Sequence, residues 1–125
     1  MRILIDTHLL LWWLNNDDQL SVTARSLIEN PSNTILVSAV TTWEIWLKNG
    51  IGKLELPDNF EEVLDQEEFE SLPLTAAHTR VAGKLPWHHR DPFDRLLVAQ
   101  AQAGDLTLLT SDGELTAYGR FVKKV

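Results

Sequence analysis

The chain has 125 residues, enough for one domain with a substantial core and too few for two. Apolar residues make up 44% and charged residues 23%, an ordinary globular balance, and no apolar run approaches the roughly 20 residues of a membrane span. Cysteine is absent, which excludes disulfides and thiolate metal sites; no signal peptide is expected, and a cytoplasmic location fits. The net charge of −7 argues at first against a nucleic-acid partner, whose binding needs a basic surface. The distribution removes that objection. Seven acids fall between Asp58 and Glu70 with no basic residue among them, and setting them aside leaves 11 acids against 11 basic residues. The acidity is local, most simply a solvated face.

In chain order, Arg2 to Ile5 is an apolar opening strand ended by Asp6, and Thr7 to Leu14 is an apolar helix that turns at Asn15-Asn16-Asp17-Asp18. Ser21 caps a second helix through Ile28, stopped by Asn30-Pro31. Thr34 to Val37 is a short strand, after which Ser38 caps a helix to about Asn49. A short acidic helix covers about Asn59 to Glu68, followed by a strand near Ser71 to Leu74 and a helix from about Thr75 to Ala82. Lys84 to Arg90 has no period and reads as a loop. Asp91-Pro92 is a strong helix start, a capping Asp before proline at the first helical position, and that helix runs to Gly104. Leu106 to Thr110 is a strand, Ser111-Asp112-Gly113 a turn before a short helix near Glu114 to Ala117, and Phe121 to Val125 a closing edge strand. Alternating short strands and helices imply one α/β domain over residues 1–125, a sandwich with a mostly parallel sheet.

Four carboxylates then stand out: Asp6, Glu44, Asp94 and Asp112. In an open parallel sheet, residues just past the carboxyl ends of strands share one crevice, where ligands bind. Acids crowded there repel one another unless a cation sits between them. Each also has a plainer explanation. Glu44 shares a helical face with Val40, Trp43 and Leu47, so it needs a partner or a cleft. Asp94, third in its helix, can bond back to the Asp91 backbone N–H, and Asp91 itself reads as a cap. Asp6 can cap the helix starting at Thr7, and Asp112 suits the turn it occupies. The set outweighs the single readings, because the coincidence would have to occur four times.

The segments Ile5-Asp6-Thr7-His8, Ser38-Ala39-Val40-Thr41-Thr42-Trp43-Glu44, Asp91-Pro92-Phe93-Asp94-Arg95-Leu96-Leu97-Val98-Ala99-Gln100-Ala101 and Thr110-Ser111-Asp112 together resemble the PIN-domain ribonucleases, most closely the VapC-like toxins of type II toxin–antitoxin pairs. Gly52-Lys53-Leu54 fits that branch too, and the resemblance covers essentially the whole chain. It implies a PIN-like three-layer sandwich, an Mg²⁺- or Mn²⁺-dependent endoribonuclease, a cognate antitoxin, an RNA substrate and a homodimer. Asp6 and Asp94 would be the main metal ligands and Asp112 a further one, with Glu44 a ligand or water-orienting base. Oxygen-only donors agree with a hard cation. Position 8 departs from many relatives in being His; His8 reads as a packing or supporting residue rather than a ligand.

Thr7, Thr110 and Ser111 are candidate hydrogen-bond donors to a phosphate or a metal-bound water. Arg90 and Arg95 are candidate phosphate contacts, whereas Lys48 reads as surface charge. Trp43 and Trp46 suit core or subunit contacts, and Trp87 is the better base-stacking candidate. The adjacent His88 and His89 make no zinc signature. Competing functions are a non-catalytic PIN-like interaction module, disfavoured by the intact acids, and a receiver-like phospho-acceptor switch, which lacks its paired acids and late lysine here. An Asp-x-Asp phosphatase is disfavoured because the site reads Asp6-Thr7-His8.

Overall fold

The computed structural model describes residues 1–125 as five strands and six α-helices. In order they are β1 (Arg2–Ile5), α1 (Thr7–Leu14), α2 (Val22–Glu29), β2 (Thr34–Ser38), α3 (Ala39–Gly50), α4 (Phe60–Asp65), β3 (Glu70–Leu72), α5 (Ala76–Lys84), α6 (Pro92–Gly104), β4 (Thr107–Thr110) and β5 (Val122–Lys124), with a 3₁₀ segment at Gly113–Tyr118 before β5. The sheet order is β3-β2-β1-β4-β5 and every strand pair is parallel. No helix is long and apolar enough to cross a membrane.

Parallel strands must return through crossovers, which cover both sheet faces with helices and require apolar side chains on both. The alternation along β1 shows this directly. Leu4 packs with Leu36, Leu97 and Leu108 on one side, while Ile3 and Ile5 join Ile35, Leu109, Leu9 and Ile45 on the other. That is why consecutive apolar residues, Ile3-Leu4-Ile5 and Leu108-Leu109, form the centres of β1 and β4. The register Ile3 with Ile35 and Ile5 with Leu109 brings the ends of β1 and β4 side by side. The chain runs from β1 through β2 to β3 on one side and then crosses back to β4 and β5 on the other, so the crevice between β1 and β4 is the switch point of the sheet.

The helix starts follow their caps. Ser21, Ser38, Thr75 and Asp91 each accept a backbone N–H from the first turn they precede. Ser38 also donates to Gln100 Oε1 at 2.5 Å, and Gln100 reaches the Pro73 carbonyl, which pins α6 against the ends of β2 and β3. Gly104 lies within α6; Asp105, at φ 54°, supplies the left-handed residue that ends it.

Two sequence expectations are overturned here. The buried face of α3 is Val40, Thr41, Glu44 and Ile45, not the stripe through Trp43 and Leu47. Trp43 is 58% exposed and Trp46 39%, so neither is a core residue, although Trp46 meets the Phe60 ring edge-on. Helical spacing allows either stripe; the bond between Thr7 and Glu44 described below selects the one that carries Thr41. The second correction concerns Arg95, which does not face solvent or phosphate. It is 4% exposed, and its guanidinium donates to the carbonyls of Ala82, Leu85, Pro86 and His89 and contacts the Tyr118 hydroxyl. The Trp87 ring stacks on it, 3.7 Å from centroid to guanidinium carbon.

Arg95 therefore organises the loop between α5 and α6 that the sequence leaves without a period. Lysine keeps the charge but lacks the planar fork. Arg95→Lys is expected to destabilise the fold by about 2–3 kcal/mol in urea titrations, because several buried carbonyls lose their donor.

Candidate active site

Asp6 stands at the carboxyl end of β1 and caps α1. Its Oδ1 accepts the Leu9 N–H at 2.9 Å, and its Oδ2 accepts the Thr110 hydroxyl at 2.6 Å. Asp6 is 4% exposed. Burial pushes its carboxyl above the ordinary range, while the Thr110 bond, the Leu9 N–H and nearby His8 pull back against that shift. Thr110 Oγ1 in turn accepts the Asp112 N–H at 3.0 Å. One hydroxyl thus ties together the ends of β1 and β4 and the start of the following turn. The capping explanation for Asp6 and its place at the strand end are both realised.

Asp94 lies in the first turn of α6. Its expected bond back to the Asp91 N–H is not formed: His89 Nδ1 accepts that N–H at 3.1 Å. Asp91 meanwhile caps the helix by accepting the Phe93 and Asp94 N–H groups. Asp94 is left facing the cleft, with its carboxyl pushed up to about 7. Burial is the largest cause, followed by repulsion from Asp91; His89 lowers it, and Asp6 and Glu44 raise it further. Asp6, Asp94 and Asp112, with His8, Trp12 and Ser111, line one cleft of about 350 Å³. Clefts of about 410 and 540 Å³ lie along the β2–β3 side of the sheet. Volume does not choose the site; the convergence of acids from β1, α6 and the end of β4 does.

Glu44 sits behind this group, 4% exposed. Thr7 donates to its Oε1 at 2.7 Å and Lys48, one turn along α3, to its Oε2 at 2.5 Å. Lys48 is therefore a partner of Glu44 rather than a free surface charge. Thr7 and Thr110 each have a single hydroxyl proton, and both protons point at carboxylates, so neither is the phosphate donor the sequence suggested. Ser111 remains at the cleft wall. His8 is exposed there, with its ring 6.0 Å from that of Trp12. Trp87 and Arg90 share a separate shallow cleft of about 220 Å³.

His89 was missed in the sequence. Its Nε2 lies 3.1 Å from Asp112 Oδ2, 3.7 Å from Asp94 Oδ2 and 3.8 Å from Glu114 Oε2. The sequence places His88 and His89 in a loop without a metal signature and says nothing of where either ring points; only His89 turns inward, while His88 packs on the Tyr118 ring.

The donor set fits a hard divalent cation. It consists of carboxylate oxygens from three separate elements, and burial, joined by repulsion from Asp91, Asp6 and Glu44, disfavours the ionised Asp94 in the absence of a cation. Residues 3–120 match the PIN domain family. The chain is a PIN domain protein.

Ribonuclease VapC22 of Mycobacterium tuberculosis is 28% identical over 120 residues, covering 93% of this chain and 91% of that protein. Among solved structures, VapBC2 from Rickettsia felis bound to a promoter DNA fragment superposes with a TM-score of 0.73 at 20% identity, covering 100% of this chain and 99% of that one. A toxin–antitoxin complex from Klebsiella pneumoniae gives a TM-score of 0.67 at 18% identity, with 98% and 99% covered. The PIN fold expected from the sequence is the one observed, with a sheet that is wholly rather than mostly parallel.

A carboxyl whose folded pKa lies above its unfolded value binds its proton more tightly in the native state, so stability falls as pH rises between the two. For Asp94 that window runs from 3.8 to about 7. Metal-free Asp94→Asn should match wild type near the lower limit and become more stable than it through this window, by up to about 2–4 kcal/mol. Thermal melts of both proteins across pH check this, and Mn²⁺ should raise the wild-type midpoint alone.

Proposed function

We propose that this PIN domain protein is a divalent-metal-dependent endoribonuclease and the toxin of a toxin–antitoxin pair. The observation that carries the reading is the meeting of Asp6, Asp94 and Asp112 in one cleft at the switch point of the sheet. The named activity of the VapC22 relative supports ribonuclease chemistry, and the toxin–antitoxin assemblies among the structural neighbours support a protein antitoxin. RNA is the proposed substrate, Mg²⁺ or Mn²⁺ the proposed cofactor and the cytoplasm the proposed location, with exposed Trp43 and Trp46 on α3 as candidate contacts in a homodimer or with the antitoxin.

Asp6, Asp94 and Asp112 would hold the cation. Bound there, a divalent ion supplies Lewis acidity, lowering the pKa of a water and neutralising charge on the scissile phosphate. Glu44 adds negative charge behind the cleft, and through Thr7 it fixes the start of α1, on which His8 and Trp12 project. The Ser111 hydroxyl, on the wall of the same cleft, would donate to a phosphate oxygen. The rings of His8 and Trp12 offer a wall against which an unpaired base stacks. Trp87 is 72% exposed and, with Arg90, would engage RNA beyond the scissile bond.

Antitoxin-free protein with Mg²⁺ or Mn²⁺ should cut total cellular RNA into discrete fragments, and EDTA should abolish them. Asp94→Asn should lower the rate more than about 100-fold, beyond the effect of removing an outer partner of a metal site. Fragments that persist with EDTA, or form equally with the variant, would sink the reading.

A further inference from the structure

His89 is part of neither the cap nor the carboxylate set by sequence, yet its ring joins both. Its Nδ1 faces the Asp91 backbone N–H, an obligatory donor, at 3.1 Å. In the neutral ring that nitrogen is then the acceptor and Nε2 carries the proton. The proton points at Asp112 Oδ2, 3.1 Å away, while Asp94 and Glu114 lie beyond hydrogen-bond length at 3.7 and 3.8 Å. The ring orientation is itself held, because Arg95 donates to the His89 carbonyl and the Tyr118 hydroxyl accepts the His89 N–H.

His89, Asp112 and Glu114 bring donor atoms within 4.8 Å of one another, a spacing that invites a metal reading. The bond at Nδ1 opposes it. To bind a cation through Nε2, the neutral ring would have to move its proton to Nδ1 and give up the Asp91 N–H. The same bond has a second effect. In a capping box the side chain at the third helical position takes the N–H of the capping residue. Here that side chain is Asp94, and His89 has taken its place as acceptor.

We infer that His89 is a positioning residue of the acidic cleft: its Nδ1 relieves Asp94 of capping so that Asp94 faces the cleft, and its Nε2–H orients Asp112. It is not a metal ligand. The inference rests on the reading of this cleft as the nuclease site, and it assigns the loop between α5 and α6 a part in assembling that site.

Three variants and one spectrum test it. His89→Ala removes both bonds and should lower kcat on RNA and the affinity for titrated Mn²⁺ by about 10- to 100-fold, with KM for RNA little changed. His89→Gln returns an N–H donor toward Asp112, and His89→Asn returns an acceptor toward the Asp91 N–H. Each should recover part of the loss, whereas replacing a metal ligand by either amide would leave the defect of the alanine variant. In metal-free wild type, ¹⁵N spectra of the ring should show the proton on Nε2. A protonated Nδ1, or a folded His89→Ala protein with unchanged kcat and Mn²⁺ affinity, would overturn the inference, as would amide variants as impaired as alanine. If alanine prevents folding, the amide variants and the wild-type spectrum still decide. Should wild type cut no RNA, the nuclease reading fails by itself, and the ring spectrum with the Mn²⁺ titrations still judges His89.

Discussion

A carboxylate buried among other carboxylates must be compensated, and the compensation of Asp6 sets much of this structure. Its two oxygens receive a helix N–H and the Thr110 hydroxyl, each from a different direction. The first bond makes Asp6 the start of α1; the second makes the end of β4 its neighbour. A parallel sheet then does the rest, since all its strand ends lie on one edge and the switch point leaves a crevice there. Neutral hydrogen bonds only partly offset the loss of water around the charge. The raised carboxyls of Asp6 and Asp94 record what remains, chiefly the cost of burial, and a divalent cation would offset it.

Supporting groups take up polar capacity that the sequence left unassigned. Thr7 and Lys48 hold Glu44 at both oxygens, so the one acid of α3 forms the back of the site rather than its opening. Arg95 gathers the carbonyls of the loop between α5 and α6 and presses Trp87 against itself. That order is what lets a loop residue, His89, stand within hydrogen-bond reach of both a helix cap and Asp112. The stability of the loop and the geometry of the acids are therefore one problem. An arginine that reads as a phosphate contact serves the site from inside the protein.

How much was legible in the chain depends on the range of the interaction. Caps, proline at the start of α6 and apolar runs act within a few residues, and elements ruled by them match closely: α1 at Thr7–Leu14, β1 at Arg2–Ile5 and the start of α6 at Asp91-Pro92. The four acids were visible because burial and strand ends are local signals. The role of His89 was not, since a bond across 23 residues to Asp112 leaves no periodic trace. The same holds for Trp43 against Thr41, where helical spacing alone permits either face.

The sequence by itself determined the alternation of strands and helices, the strand-end placement of Asp6 and Asp112 and the presence of a cap before Asp94. These follow from backbone propensity, side-chain capping and hydrophobic period, all of which operate between near neighbours. Only the tertiary structure decided which hydroxyl protons are already taken, which oxygens of Glu44 are engaged, and that Arg95 is buried while Asp94 faces a cleft. A polar side chain has few donors and acceptors, and the partner that claims each one is whichever distant segment the closed sheet and its helices bring into reach.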